Sequence, residues 1–240
     1  MVKLEKNYEG VSFVVNCATQ HKKYTKMVRK FGPCLIQEYI PNGGEYGVYT
    51  LFNNQSEPLA LTVQKRIRSL HSYGGISTFK ETVQNDQIVD IAFHLLKTLR
   101  WFGVAMVEFR IDPRDGQPKL IEVNPRFWGS LQLSILAGVD FPYLVLQLMT
   151  EKYIEPMLTF KKGVQCRWLM GDIALFLRSP HNLKQMRTFL KIHCHDDIAS
   201  FSDPWPMVMS VLAPSWHSLD EEPRDDNITS VNNESKRGHL

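Results

Sequence analysis

Apolar and polar positions along this 240-residue chain alternate in some stretches with period two and in others at about 3.6, and the alternation predicts a succession of elements. VSFVVN, residues 11–16, predicts a strand. From Gln20 the polar residues His21, Lys22 and Lys23 give way to Tyr24, Met27, Val28 and Phe31 at helical spacing, an amphipathic helix that Gly32 and Pro33 stop. CLIQEYIPNGGEYGVYTLFNN then reads as strand, glycine-rich turn and strand. A second turn, Asn53 to Pro58, leads to a third strand, LALTVQKRIRS, so this stretch predicts an antiparallel meander. Ile88, Ile91, Ala92, Leu95, Leu96 and Leu99 form one stripe of a helix, with Asn85 as its cap and Gly103 placed to end it.

The helix delivers the chain into VAMVEFRIDPRDGQPKLIEVNPR, residues 104–126. Two strands, VAMVEFRI and PKLIEV, flank a turn of Asp112, Pro113, Asp115 and Gly116, and so predict a β-hairpin. Alternation puts Val104, Met106, Glu108 and Arg110 on one face of the first strand, and Leu120, Glu122 and Asn124 on one face of the second. Side chains facing one another across such a pair lie roughly 4.5–5.5 Å apart, within which Glu108 and Glu122 would repel. A shared proton, a cationic side chain or a metal ion would relieve that repulsion. Asn124 adds a neutral oxygen, and Arg126 a bidentate cation just beyond Pro125. Carboxylate and amide oxygens with no adjacent His or Cys suit a hard ion such as Mg²⁺, which completes its shell with water and substrate phosphates. The bland alternative is a solvated hairpin face. Beyond the hairpin, Phe127 to Leu148 reads as a loop leading into a helix that packs on the sheet.

Hydrophobic content of 43% with 22% charged residues is ordinary for a globular protein, and the length suits one large domain or two small lobes. A net charge of +3 is too small to point to nucleic acid or an anionic membrane, though basic residues can cluster around an anionic ligand. One such cluster is QKRIRSLHSYGGISTFKETV. Lys65, Arg66, Arg68 and His71 lie near Gly74, Gly75, Ser77 and Thr78, a loop suited to grip an anion or, alternatively, an exposed basic strand edge. The Asn42-Gly43-Gly44 turn is either a plain tight connection or a ligand loop. Cys17, Cys34, Cys166 and Cys194 have no CxxC spacing and the N-terminus has no apolar segment of signal-peptide kind, so the chain reads as cytoplasmic. No apolar run approaches the ~20 residues needed to span a bilayer, so no membrane partner is expected. His193, Cys194, His195, Asp196 and Asp197 invite a metal reading, but no second ligand cluster accompanies them. Arg167 and Asp172 are expected to form a structural ion pair, and the polar residues from Ser218 onward a disordered tail.

The order of QEYI, a glycine turn with Glu45, a basic strand, a helix and then VEFRID…GQPKLIEVNPRFWGS resembles the second half of an ATP-grasp domain, the fold of ATP-dependent carboxylate–amine ligases and biotin carboxylase. The resemblance runs from about Leu35 to Leu148 and implies an α+β fold, an antiparallel sheet with flanking helices. It implies that Glu108, Glu122 and Asn124 ligate the Mg²⁺ ions (or Mn²⁺) bridging the ATP phosphates, and that Arg126 holds the phosphate or acyl phosphate. Gln37, Glu38, Tyr39 and Ile40 match the hinge that reads adenine, and Glu45 an acidic residue contacting the ribose. Lys65, Arg66 and Arg68 match the strand that binds the reacting carboxylate and γ-phosphate, without singling out one of them. Leu70 to Thr78, with its paired glycines, is the expected lid.

The chain departs from that pattern at its start. Lys3 stands where the family's strand lysine stands and Gly10 where its phosphate loop ends, but Leu4-Glu5-Lys6-Asn7-Tyr8-Glu9 replaces the intervening glycines. The expected organisation is therefore a shortened first lobe at 1–33, a nucleotide- and metal-binding lobe at 34–160, a helical extension at 161–217 and a tail at 218–240. Two functions follow from the resemblance. One is an ATP-dependent ligase joining a small-molecule carboxylate to a nucleophile through an acyl phosphate, completed by a separate chain or a preceding domain. The other is a degenerate relative that binds nucleotide without turnover.

Overall fold

The computed structural model of the chain describes residues 2–6, 12–15, 28–29, 34–71, 74–150, 154–178, 194–199 and 203–212. Val28 and Arg29 are helical; the rest of the helix expected over residues 20–31 lies outside the described residues, as do Gly10, His193 and the polar tail from Ser218. Two compact units divide the chain at Asp197/Ile198. The second contains one described helix, α5 (Trp205–Leu212). Among the described residues no helix is long and apolar enough to cross a membrane.

The first unit is α+β and holds two sheets. Strands β1 (Val2–Lys6), β2 (Ser12–Val15) and β3 (Cys34–Glu38) form an antiparallel sheet in the order β2-β1-β3. The larger sheet contains β4 (Glu45–Phe52), β5 (Pro58–His71), β6 (Gly74–Thr82), β7 (Gly103–Ile111), β8 (Pro118–Asn124), β9 (Gln165–Arg167) and β10 (His195–Asp196). Its order is β10-β9-β6-β5-β4-β7-β8, antiparallel except at β9–β10. Helix α1 (Asp86–Thr98) starts where expected, with the Asn85 side chain accepting from the Ile88 amide at 3.3 Å. Its stripe of Ile88, Ala92 and Leu96 is fully buried against Val48, Val63, Val107 and Phe109 on one face of the sheet. On the other face Tyr49, Leu51 and Met106 pack with Trp128, Phe141 and Leu144, the last two from α3 (Phe141–Thr150). Both faces of β4 are covered, which is why seven of its eight residues are buried.

Several expectations need correction. The meander is broken, because β3 pairs with β1 and not with β4; residues 39–44 therefore join two sheets and do not close a hairpin. This connection docks on the end of β7, where the Gly43 amide donates to the Ile111 carbonyl at 3.0 Å and the Ile111 amide to that of Gly44 at 2.8 Å. Of the stretch Leu70 to Thr78, expected as a loop, the described residues are strand: Leu70 and His71 end β5 and Gly74 to Thr78 begin β6, with His71 opposite Gly74. Helix α1 ends at Thr98, and the left-handed turn falls on Arg100 (φ 51°), while Gly103 already belongs to β7. A bulge after Glu108 sets Leu120 opposite Phe109, which takes Leu120 off the face carrying Glu122. The helix expected after Phe127 is two, α2 (Leu131–Leu136) and α3. Residues 165–178, read as part of an extension, supply β9 and α4 (Leu169–Arg178), so the main sheet continues past residue 160.

A β-carbon at Gly43 would sit 2.7 Å from the Ile111 carbonyl oxygen. Gly43→Ala should therefore lower stability by about 1–3 kcal/mol, seen as a lower urea midpoint with unchanged slope. An unchanged midpoint would show that the docking of this connection contributes nothing.

Candidate functional site

Cross-strand register arranges the face opposite α1 in rows. Cys166, Lys80, Arg66, Glu45, Arg110 and Lys119 lie directly beside one another on successive strands from β9 to β8. The adjacent row is Thr82, Gln64, Gly47, Glu108 and Glu122, and Asn124 follows one row further, opposite Met106. Glu108 and Glu122 are thus direct cross-strand partners, and the row beside them is predominantly cationic.

Arg66 bridges the rows. Its Nη1 donates to Glu45 Oε2 at 3.1 Å and its Nη2 to Glu108 Oε1 at 3.0 Å. Arg110 pairs with the other oxygen of Glu45 and donates through Nη1 to the Ile40 carbonyl at 3.0 Å. Glu45 is only 8% exposed, and both its carboxylate oxygens are held by guanidinium groups. Burial raises the pKa of Glu108, Arg66 opposes this, and Glu122 and Glu45 raise it further, so it stands above the ordinary carboxylate value. Glu122 is exposed, and Asn124 Nδ2 donates to its Oε1 at 2.7 Å. Of the three ways to relieve the Glu108–Glu122 repulsion, the side-chain cation is present as Arg66, and it reaches Glu108. Two carboxylates and an amide on adjoining strands remain a donor set that fits a hard divalent ion.

The other expected residues are distributed around this centre. Gln37 and Glu38 end β3, and Lys3 of β1 stands opposite Gln37. Glu38 accepts from Arg114 Nη2 at 2.7 Å, and Arg114 is itself clamped by Asp112, whose carboxyl it holds down at about 2. Tyr39 and Ile40 follow, with the Ile40 carbonyl taken by Arg110. Arg126 is exposed beyond β8, its Nη1 donating to the Phe127 carbonyl at 3.1 Å.

Two of the three basic-strand residues do not join the centre. Lys65 points to the α1 face by simple alternation, its ammonium 5.6 Å from the Tyr46 ring centroid. Arg68 follows a register shift and is buried on Asp172 of α4, with Nε 2.9 Å from Oδ1 and 3.2 Å from the Thr78 hydroxyl. Asp172 was expected to pair with Arg167; Arg68 bonds it through both carboxylate oxygens, and the charge of Arg167 also favours its ionised form. In the HCHDD segment, Asp197 pairs with Lys80 and accepts from the Cys166 thiol at 3.3 Å, and Asp196 accepts from the Leu169 amide at 2.9 Å. These acids hold β6, β9, β10 and α4 together. No group of three or more His, Cys, Asp or Glu able to hold a metal occurs among the described residues.

Sequence reasoning passed over Arg110 and Lys80 as site residues. Arg110 was legible as a neighbour of Glu108 on its strand face; its partner Glu45, 65 residues away, was not.

A family described as ATP-grasp in the biosynthetic pathway with Ter operon matches residues 30–171. The chain belongs to this ATP-grasp family. Solved structures share the fold. N5-carboxyaminoimidazole synthetase from Staphylococcus aureus, complexed with ADP, aligns with TM-score 0.56 at 16% identity over 77% of this chain and 49% of its own. Biotin carboxylase from Campylobacter jejuni, in a beta-gamma-ATP complex, aligns with TM-score 0.55 at 17% identity over 68% of this chain and 40% of its own. The ATP-grasp chain thus spans less than half the length of these structures. No curated protein matches the sequence.

A carboxyl whose pKa is raised by folding favours the folded state only while protonated. Its contribution is complete below the ordinary value of 4.5 and is lost as pH rises through the raised one. Glu108→Gln removes that loss. The urea midpoint of this variant, measured without ligands, should equal or exceed the parent's near pH 7, with the gap closing toward about pH 4. A midpoint well below the parent's near pH 7 would show that ionised Glu108 stabilises the chain.

Proposed function

We propose that the chain binds ATP with Mg²⁺ and activates a small-molecule carboxylate for attack by an amine or another nucleophile. The observation that carries this reading is the direct pairing of Glu108 with Glu122 beside Asn124, in the row adjoining Arg66. Membership of the ATP-grasp family supports it. Glu108, Glu122 and Asn124 would hold the Mg²⁺, with Mn²⁺ as a substitute, and the ion supplies charge neutralisation at the β- and γ-phosphate oxygens.

The remaining chemistry falls to the chain's own residues. Gln37 to Ile40 would hold the adenine, with the Ile40 carbonyl already fixed by Arg110. Lys3 would reach the phosphates from β1, and Arg66 and Arg126 would steady the transferred group. A carboxylate oxygen attacks the γ-phosphorus, the bond to the bridging oxygen of ADP breaks, and an acyl phosphate forms. The nucleophile then attacks the acyl carbon and inorganic phosphate leaves. Positioning and charge stabilisation are nearly all that phosphoryl transfer requires of a protein. A further chain or domain would complete the carboxylate and nucleophile sites, and a reducing cytoplasm would suit the Cys166 thiol hydrogen-bonded to Asp197. A second reading, nucleotide binding without turnover, is favoured by one observation: Leu4 to Glu9 lacks the glycines that would cradle phosphates.

Glu122→Ala and Asn124→Ala should each weaken Mg²⁺–ATP binding at least about tenfold in calorimetry, equivalent to about 1.4 kcal/mol. Unchanged binding would remove these residues from the metal site. ADP release, followed across amino acids and small carboxylates with and without amine acceptors, separates the two functions. Carboxylate-dependent release supports the ligase, and bound ATP without release across the panel supports the second reading.

A further inference from the structure

Arg66 occupies the position a metal ion would contest. It bonds Glu108, a proposed metal ligand, and Glu45, which is not one, with a separate nitrogen on each. A divalent ion taking Glu108 competes with this guanidinium for the carboxylate, and a half-buried guanidinium displaced without a partner is costly. Glu45 sits directly opposite Arg66 in register and receives a second guanidinium, Arg110, on its other oxygen. Arg110 in turn reaches the carbonyl of Ile40 in the connection between the two sheets.

We propose that Glu45 is a positioning residue for metal binding: it retains Arg66 when Glu108 passes to a divalent ion, so the exchange strands no charge. Arg110 fixes Glu45 for this task and ties it to the segment proposed to hold adenine. The role assigned to Glu45 thus changes from a ribose contact to an anchor inside the protein. This inference rests on the metal assignment of the proposed function, and Mn²⁺ binding tests the two separately.

Mn²⁺ affinity of the full chain is measured from the electron paramagnetic resonance signal of the free ion, with and without ADP, with circular dichroism as the check on folding. Arg66→Gln removes the competitor and should bind Mn²⁺ about tenfold tighter. Glu45→Gln keeps Arg66 but deprives it of its anchor and should bind about tenfold more weakly. In the double variant the Glu45 effect should vanish, leaving the affinity of Arg66→Gln alone; additive effects would mean simple long-range charge and overturn the proposal. Arg66→Lys keeps the charge but loses the fork that spans two carboxylates. It should bind Mn²⁺ several-fold tighter than the parent, and equal affinity would also overturn the proposal. Should Glu45→Gln fail to fold, this lysine variant decides alone. Mn²⁺ binding that is lost in Glu122→Gln but indifferent to Glu45 and Arg66 refutes only this inference. Absence of Mn²⁺ binding to the parent chain, with ADP present, refutes the metal assignment and the inference together.

Discussion

Two carboxylates on neighbouring strands of a partly buried sheet need a counter-charge, and the centre of this molecule is built around that need. Glu108 and Glu122 stand opposite one another, and Arg66 supplies charge to the more buried of the two. A guanidinium held between strands must itself be anchored, which Glu45 does, and a carboxylate as buried as Glu45 needs more than one donor, which Arg110 provides. The series ends on a neutral acceptor, the Ile40 carbonyl. Glu45 has a guanidinium on either side, so removing it leaves two partly buried cations without their shared counter-charge. Such loss commonly costs about 3–5 kcal/mol, far more than an exposed ion pair contributes.

Apolar packing fixes the same face from its other end. Tyr49 lies next along β4 on this face, and its ring fills the space where a β-carbon of Gly47 would be, with the hydroxyl only 2.6 Å from that point. Gly47 is therefore required by close approach and not by backbone conformation. The Tyr49 ring continues into Trp128, at 4.4 Å between centroids, and Trp128 into Phe141 at 4.9 Å. Ser130 donates to the Tyr49 hydroxyl at 3.2 Å, and burial keeps this phenol neutral, its pKa pushed up to about 12. The aromatic wall thus meets the charged rows at Gly47, where the Tyr49 ring reaches into the row of Glu108.

Local pattern carried much of this. The hairpin with its Asp112–Gly116 turn, the cap at Asn85 and the buried stripe of α1 all depend on residues a few positions apart, where periodicity and turn chemistry speak directly. The pairing of Glu108 with Glu122 was legible for the same reason, since one short turn sets the register. What was not legible depends on distant pairing. Nothing near β3 says that it joins β1 across a sheet boundary, and nothing near Arg68 says that Asp172 waits 104 residues away. The bulge that moves Leu120 off the Glu122 face likewise follows from packing of the whole hairpin, not from a glycine in the strand. Lys65 differs: strict alternation from Arg66 already placed it on the other face, and grouping the three basic residues by composition hid that.

Self-neutralisation also bears on what this face selects. Arg66 and Arg110 are committed to Glu45, and Arg66 also to Glu108, so a bare polyanion would have to compete with carboxylates already in place. A polyanion that carries a divalent cation changes the balance. Under the proposed function its metal would offer Glu108 a replacement for Arg66, and its oxygens would offer Arg66 a replacement for Glu108, so two bonds would be exchanged for two with no charge left unpaired. Under the proposed metal assignment, a preference for the metal-bearing ligand would therefore follow from the pairing itself.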